Sequence, residues 1–418
     1  MKTPAHIVPL LNRQGALPIL IAACAALAAL IFSLEIYPAL REPLSANVDP
    51  DRFGDLSSNL SSGLGYVYTA HGGLVPAFDR GPVYPAVVAL LFVFSGSRSF
   101  VPVQVFQSIL HGVTCILVYL IARRLISRRG ALVAQGLAGI HPMLLWYTPR
   151  VWIETTFTFL VTLTILTLML LHERPSIARA IVAGGIIGIA ALDKSVILPF
   201  AAVAAIAFLL EGGRKHVPAA AALLGSAVIL VVPWTVRNYE ASGRLIPVQT
   251  SFGLNRIQGD AIARNLISMP FSTLAVWSRG KEEVDSLLAP GGEDALSPEG
   301  DRILARASIA CSFSHPLFAL WRSAANALTF CYLSESRAKS LFLASVECPL
   351  MIFAFAGARR LWPGGGRART CALVLAYFFL VHMVIVGWAR YSAPIVPVAL
   401  VLAAARFSAP PPGGAARA

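Results

Sequence analysis

DPDRFGDLSSNLSSGLGYVYTAHGGLVPAFDRGPVYP, residues 49–85, is the first long polar passage in a very apolar chain. It follows an apolar run, Leu17–Ile36, of the length a bilayer-spanning helix needs, about 20 residues. It carries Asp49, Asp51, Asp55 and Asp79, then Arg80. Its closing residues decide the topology. The next apolar run, Pro82–Gly96, is short, and its GPVYP start puts two prolines in one turn, so it reads as a helix lying in the outer interface or dipping partway in. If it crossed, the following run, Val101–Ala122, would carry Arg123, Arg124, Arg128 and Arg129 to the outer face. If it does not cross, that cluster is cytoplasmic, as the positive-inside rule prefers.

The composition excludes a soluble fold. The 418 residues are 56% hydrophobic and only 13% charged, about half the charge of an ordinary soluble domain. The net charge of +13 sits mostly in short Arg/Lys clusters between apolar runs, which is the signature of membrane topology. Nucleic-acid binding asks for a basic face on a water-soluble fold, and none is visible. Cys24, Cys115, Cys311, Cys331, Cys348 and Cys371 are scattered singly, without CxxC or Cys/His metal spacing, and read as small buried hydrophobes.

The same bookkeeping orders the remaining loops. Lys2 and Arg13 keep the N-terminus cytoplasmic, and the first run reads as an uncleaved signal anchor. Runs at 132–147, 152–171, 181–192, 196–210, 219–232, 341–356, 371–386 and 395–405 then alternate, with Arg174, Arg179, Arg214, Lys215, Arg359, Arg360, Arg367 and Arg369 inside. The expectation is an all-α polytopic membrane protein of about ten spans, with both termini cytoplasmic. Residues 1–410 form one domain with two outer parts, a loop at 38–100 and a section at 237–339, and 411–418 form a flexible cytoplasmic tail. Within the second part, Asp260–Gly300 reads as exposed loop and Ala305–Cys331 as an amphipathic helix on the outer surface.

Topology then sorts the ionisable groups. The outer face collects Asp49, Asp51, Asp55, Asp79, Arg80, Arg150, Glu154, Asp193, Lys194, Arg237 and Arg390 at span ends. Glu154, in WIETT, opens a long apolar helix, where a carboxylate is costly unless it faces a cavity or a partner. Arg237 in PWTVRN and Arg390-Tyr391 before APIVP present donors at the interface. Four cations beside several carboxylates suit a phosphorylated, membrane-embedded substrate: Arg and Lys to hold phosphate, a carboxylate as base. His71 lies alone in a Gly-rich stretch, and His141-Pro142 reads as a bend within a span. No GxSxG, P-loop or dinucleotide-binding pattern is present.

Taken in order, these motifs resemble the GT-C glycosyltransferases that use polyprenyl-phosphate-linked sugars. The similarity is to the branch of protein O-mannosyltransferases, lipid A aminoarabinose transferases and lipopolysaccharide-core galacturonic acid transferases. The first outer loop supplies Asp49, Phe53, Asn59-Leu60 and Gly63-Leu64-Gly65-Tyr66, followed by Arg80-Gly81-Pro82-Val83-Tyr84-Pro85. Glu154 opens a later span; Pro233-Trp234-Thr235-Val236-Arg237-Asn238-Tyr239, Gly243, Ile246-Pro247 and SFGLN at 251–255 follow; Arg390-Tyr391, Pro394 and Pro397 close the series. Where relatives often carry Arg before a span, this chain has Asp193-Lys194.

The resemblance implies an integral-membrane glycosyltransferase that takes a sugar from a polyprenyl-phosphate donor. The acceptor would be a glycolipid, lipopolysaccharide, polysaccharide or protein, and the active site would face the periplasm or exterior of the plasma (inner) membrane. Asp49 would be the base, preferred to Asp51 by its spacing to Phe53 and Leu60, with Glu154 beside it. Arg80, Lys194, Arg237 and Arg390 would hold the donor phosphate, supported by Asp51, Tyr84, Asn238 and Tyr391. The reaction would need no nucleotide; a divalent metal ion is left open as a cofactor, with Asp49 and Glu154 its ligands if one binds. Partners are the donor, the acceptor and membrane lipids, not nucleic acid. A transporter or flippase of lipid-linked sugars is the alternative, and it would place charges within spans, near the membrane midplane.

Overall fold

The computed structural model describes residues 15–41, 48–49, 51–70, 72–268, 271, 273–292 and 294–408. The flank Lys2 and Arg13, His71 and the expected tail 411–418 lie outside the described residues. The first helix, α1 (Leu17–Ile31), continues through a π-helical turn, Phe32–Ile36, to Arg41. The outer loop then holds α2 (Phe53–Ser61), strands β1 (Val67–Ala70) and β2 (Gly73–Pro76), and α3 (Val83–Ser95). The bundle continues with α4 (Val101–Ala122), α5 (Arg128–Gly139), α6 (Pro142–Tyr147), α7 (Glu154–Glu173), α8 (Ile177–Asp193), α9 (Phe200–Gly212) and α10 (Val217–Ser242). The second outer section is α11 (Phe252–Asn265), α12 (Thr273–Leu288), α13 (Pro298–Ser314) and α14 (Pro316–Thr329). Three more helices close the chain: α15 (Arg337–Leu361), α16 (Gly366–Val384) and α17 (Val396–Phe407).

Seven helical runs among the described residues are long and apolar enough to cross a bilayer, or eight if the bent pair α13–α14 counts as one span. One of the seven, Ser195–Ser242, has 48 residues. Straight, it would reach about 72 Å at 1.5 Å per residue, far beyond a hydrocarbon core of about 30 Å. It is two legs joined at Gly213, whose φ of +59° suits glycine. The α9 leg runs antiparallel to α16: Tyr377 donates to the Val196 carbonyl near one end, and Glu211 meets Arg369 at the other. The α10 leg runs parallel to α8, with Gly184 against Leu223 and Gly188 against Ala227. A Cβ on Gly184 would stand 2.0 Å from the Leu223 carbonyl oxygen, so glycine there sets the helix spacing. The count falls short of the ten spans expected: α5–α6 and the 17-residue α8, where two of them were placed, are not among the long apolar runs.

The two outer parts differ from expectation in detail. The first contains an antiparallel hairpin, Val67 paired to Pro76 through Ala70 to Gly73, within what was expected to be polar loop and interfacial helix. Its alternating Val67, Tyr68 and Thr69 are strand-forming residues, and Gly72, at φ +75°, sits in the turn. The helix after GPVYP has 13 residues, about 20 Å, and stops at Gly96 in the left-handed region. It is too short to cross.

In the second part, Asp260–Gly300 is largely helical rather than exposed loop. Apolar residues interleaved with the polar ones pack together: Ile257, Val284, Leu288 and Leu304 form one small core, and Ala261, Ile262, Val276, Leu333 and Val386 another, while Arg256 and Asp260 of α11 are themselves buried. The expected single amphipathic helix is broken at His315-Pro316, and its two halves bend by 114°. Pro316 has no amide hydrogen to continue α13 and takes the first turn of α14 instead.

Candidate active site

Asp49 and Asp51 both precede α2, and the two carboxylates have different environments. Asp49 accepts from the backbone amides of Phe53 (2.8 Å) and Gly54 (2.7 Å), two of the donors a helix N-terminus leaves unsatisfied. The turn is tight: Arg52 sits at φ +58°, the one non-glycine residue with positive φ among the described residues. Its guanidinium pairs with Asp55 at 2.6 Å and reaches the Thr69 carbonyl of the hairpin. Burial pushes the Asp49 carboxyl above the usual aspartate range, partly offset by its two amide bonds.

Asp51 points the other way, into a cluster of cations. Its Oδ2 accepts from Arg390 Nη2 at 2.6 Å, and its Oδ1 lies 3.6 Å from Arg80 Nη2. Burial alone would raise its pKa, but Arg390 and Arg80 overcome that and hold it down to about 2. Arg390 stands in a 3-10 stretch, Ala389–Ile395, just before α17, and its Nε donates to Glu154 Oε1 at 2.5 Å. Lys194 Nζ, at the outer end of α8, lies 3.7 Å from the same oxygen. Arg80 also pairs with Asp79 at 3.4 Å. Asp193, next to Lys194 in sequence, turns away and accepts from the Thr156 hydroxyl at 3.2 Å. Aromatic rings fix the cations in place: Trp152 lies 4.0 Å from the Arg390 guanidinium, Tyr391 is 4.3 Å from Lys194 Nζ, and Phe53 is 5.4 Å from Arg80.

The structure thus brings Arg80, Lys194 and Arg390 together with Asp51 and Glu154, and leaves Arg237 and Asn238 apart. Arg237 donates to the Ala77 and Tyr66 carbonyls, within reach of the Tyr66, Phe78 and Trp234 rings, and so fastens the hairpin to the end of α10. Asn238 is buried and donates to the Ile246 and Val248 carbonyls. Both expectations rested on position at a span end, and tertiary packing spends these donors on backbone. Tyr84 is buried under Phe53 and donates to Gln107. Tyr391 donates to Asn255 at 3.0 Å.

Two cavities meet at this cluster. A polar one of about 460 Å³ is bordered by Asp51, Arg80, Lys194, Arg390 and, at its far side, Trp388 and Glu335. A more apolar one of about 650 Å³ runs between α16 and the start of α9 past Val196, Leu380, Val384 and Val386. Lys194, Gln249, Ser251, Asn255 and Tyr391 border both. An apolar cavity thus opens onto a cationic centre at one end of the helical bundle.

Residues 79–236 match the family model described as dolichyl-phosphate-mannose-protein mannosyltransferase. No curated protein matches the sequence. Among solved structures, the oligosaccharyltransferase of Archaeoglobus fulgidus in its apo form superposes with a TM-score of 0.57 at 14% identity, over 93% of this chain and 50% of that one. The same archaeal protein, AglB, in complex with an inhibitory peptide and a dolichol-phosphate gives a TM-score of 0.56 at 14% identity, over the same shares. ArnT from Cupriavidus metallidurans bound to undecaprenyl phosphate is a looser match, with a TM-score of 0.44 at 15% identity over 93% of this chain and 77% of that one. Its fold is that of the GT-C superfamily. The chain spans about half the length of the archaeal structures it matches.

Within this GT-C bundle, the family-model match takes in Arg80, Tyr84, Glu154 and Lys194, while Asp49, Asp51 and Arg390 lie outside it. Asp49 and Glu154, left open as ligands should a divalent ion bind, both have other partners. Asp49 is engaged by two amides and Glu154 by Arg390 and Lys194, and among the described residues no three His, Cys, Asp or Glu converge as a metal site. Sequence reasoning did not reach Glu335, which borders the polar cavity and is held by Lys339 (2.8 Å) and Arg150 (3.3 Å). Nothing in its SESR surroundings marks it, because its partners come from its own next helical turn and from a residue 185 positions away.

Proposed function

We propose that this GT-C protein is a membrane glycosyltransferase that moves a sugar from a polyprenyl-phosphate donor to a hydroxyl acceptor at the periplasmic or outer face of the plasma (inner) membrane. The observation that carries the reading is the junction of the apolar cavity with Arg80, Lys194 and Arg390. The apolar cavity suits the polyprenyl chain, and the cations suit its phosphate. AglB, which shares the fold, has been solved with a dolichol-phosphate. The polar cavity on the far side of the cations leaves room for the sugar and the acceptor, whether glycolipid, glycan or protein.

In the proposed step the acceptor oxygen attacks the anomeric carbon with inversion, and the bond from that carbon to the phosphate oxygen breaks. The polyprenyl phosphate leaves with the bonding pair, and its added charge is met by Arg390, Arg80 and Lys194. The acceptor proton goes to a carboxylate. Asp49 is the better base, because burial raises its proton affinity whereas two guanidiniums hold that of Asp51 down. Asp51, tied between two guanidiniums, orients Arg390 and Arg80. Glu154 fixes Arg390 and Lys194 from below.

The decisive measurement is sugar transfer from synthetic polyprenyl-phosphate sugars by purified protein in detergent. Consumption of a donor that is abolished by Arg390→Met supports the reading. A wild type that consumes no donor across common sugars and acceptors rejects it. One observation favours the transporter alternative: His141 and Glu347 face each other at 3.5 Å, buried within spanning segments. Donor translocation in sealed vesicles that is lost in Glu347→Gln, with no transfer chemistry, would select it.

A further inference from the structure

The Glu154 carboxylate places Oε1 on Arg390 and Lys194. Its Oε2 is buried and has no hydrogen-bond partner among the described residues. A carboxylate oxygen left in that condition is costly, and in native structures such atoms commonly mark an ordered water. Glu154 also borders a void of about 10 Å³ lined by His111, Thr114, Leu144, Tyr147, Thr155 and Thr158. That is about the room one water needs, and the lining is polar, whereas voids that stay dry are apolar.

The lining supplies the partners such a water requires. Thr155 Oγ1 is likewise buried without a partner among the described residues. His111, from the middle of α4, is 3% exposed, and its Nε2 lies 3.1 Å from the Gly139 carbonyl. A carbonyl only accepts, so that nitrogen carries the hydrogen and Nδ1 keeps its lone pair. Two acceptors and one hydroxyl thus surround a one-water space.

We propose that this void is a water site that makes His111 a positioning residue for Glu154. The water donates to Glu154 Oε2 and to His111 Nδ1 and accepts from the Thr155 hydroxyl. Held at both oxygens, the carboxylate keeps its plane, and Oε1 stays on Arg390 and Lys194. The consequence for catalysis rests on the glycosyltransferase reading; the water site itself does not.

The test compares His111→Phe, which removes Nδ1 and crowds the void, with His111→Asn, which keeps a short polar side chain. A map of the wild type at a resolution that shows water should place one between residues 111 and 154, absent in His111→Phe. The infrared carboxylate band assigned by its loss in Glu154→Gln should shift in His111→Phe and return in His111→Asn. Transfer efficiency should fall about tenfold in His111→Phe, the worth of one well-placed hydrogen bond, and recover to within about threefold in His111→Asn. A dry void in the wild-type map, or an unmoved band in His111→Phe, overturns the proposal. So does an equal loss of transfer in both variants that tracks their loss of thermal stability. A wild type that transfers no sugar refutes the functional reading, and the map and the infrared band still decide this one.

Discussion

Both ends of the helical bundle carry Arg, Lys and carboxylates, and they use them differently. At the end the charge pattern assigns to the inner face, Glu173 receives Arg124 (3.0 Å) and Arg367 (3.7 Å), while Glu211 receives His172 (3.0 Å) and Arg369 (3.1 Å). These pairs tie the ends of α4, α7, α9 and α16 together; Glu173 is 29% exposed and Arg367 45%. At the other end, which the charge pattern assigns to the outer face, Glu154 is fully buried beneath Arg390, which is 19% exposed and borders a cavity that meets an apolar one. Exposed pairs in water are screened and stabilise little, whereas a buried carboxylate needs its cations. Composition is shared between the two ends; desolvation beside a cavity separates an anchor from a site.

The comparison can be broken most directly at the base. Asp49→Asn should lower transfer by about 10²–10⁴-fold with the donor still bound, the range for removing a general base. Retention of wild-type turnover would move the role to another carboxylate, and Asp51→Asn, expected to act chiefly through donor KM, is the control. Next in size, Arg390→Met should cost about 10²–10³-fold in kcat, as for loss of one donor to a developing negative charge. Arg367→Met at the inner end should leave transfer within twofold. Equal losses at the two ends would erase the distinction.

A smaller effect concerns pH. Asp51 has its folded pKa depressed to about 2 from an ordinary value near 3.8, so the stability it contributes is present above about pH 4 and is lost as pH falls through 2. The amount is about 2 kcal/mol. Thermal midpoints of wild type and Asp51→Asn in detergent should differ most at neutral pH and converge between pH 4 and 2. A gap that stays constant would contradict the ion pair. The smallest effect is expected from Glu173→Gln, a loss of under about 1 kcal/mol of stability, since its partners are screened by solvent. A loss of several kcal/mol there would show that the inner end is as dependent on pairing as the outer one.

The fold was legible because hydropathy and charge are local. Runs of apolar residues and Arg clusters such as Arg123-Arg124 and Arg359-Arg360 are read off directly, and the short helix after GPVYP follows from its length. The α11–α12 segment was misread as loop because its apolar contacts are few and split between two small cores. The hairpin went unseen because strands of four residues leave little pattern. In the candidate site, Arg80, Glu154, Lys194 and Arg390 were each visible as costly charges at span ends. Arg237 carried the same signal, yet its donors go to the Tyr66 and Ala77 carbonyls. Position at an interface marks a charge as needing a partner without saying which.

The sequence by itself determined that the chain lives in a membrane, that it is built of helices, and that mixed charge gathers at their ends. Those follow from the free energy of transferring each segment between water and lipid, a property of the segment alone. Tertiary structure decided which charges meet. Arg390 bridges Asp51 and Glu154 across 339 and 236 positions of sequence, while Asp49, two residues from Asp51, faces the amides of its own helix. Such pairings depend on how a dozen helix ends pack. The proton affinity of each carboxylate, and so its capacity to act as a base, is set by that packing.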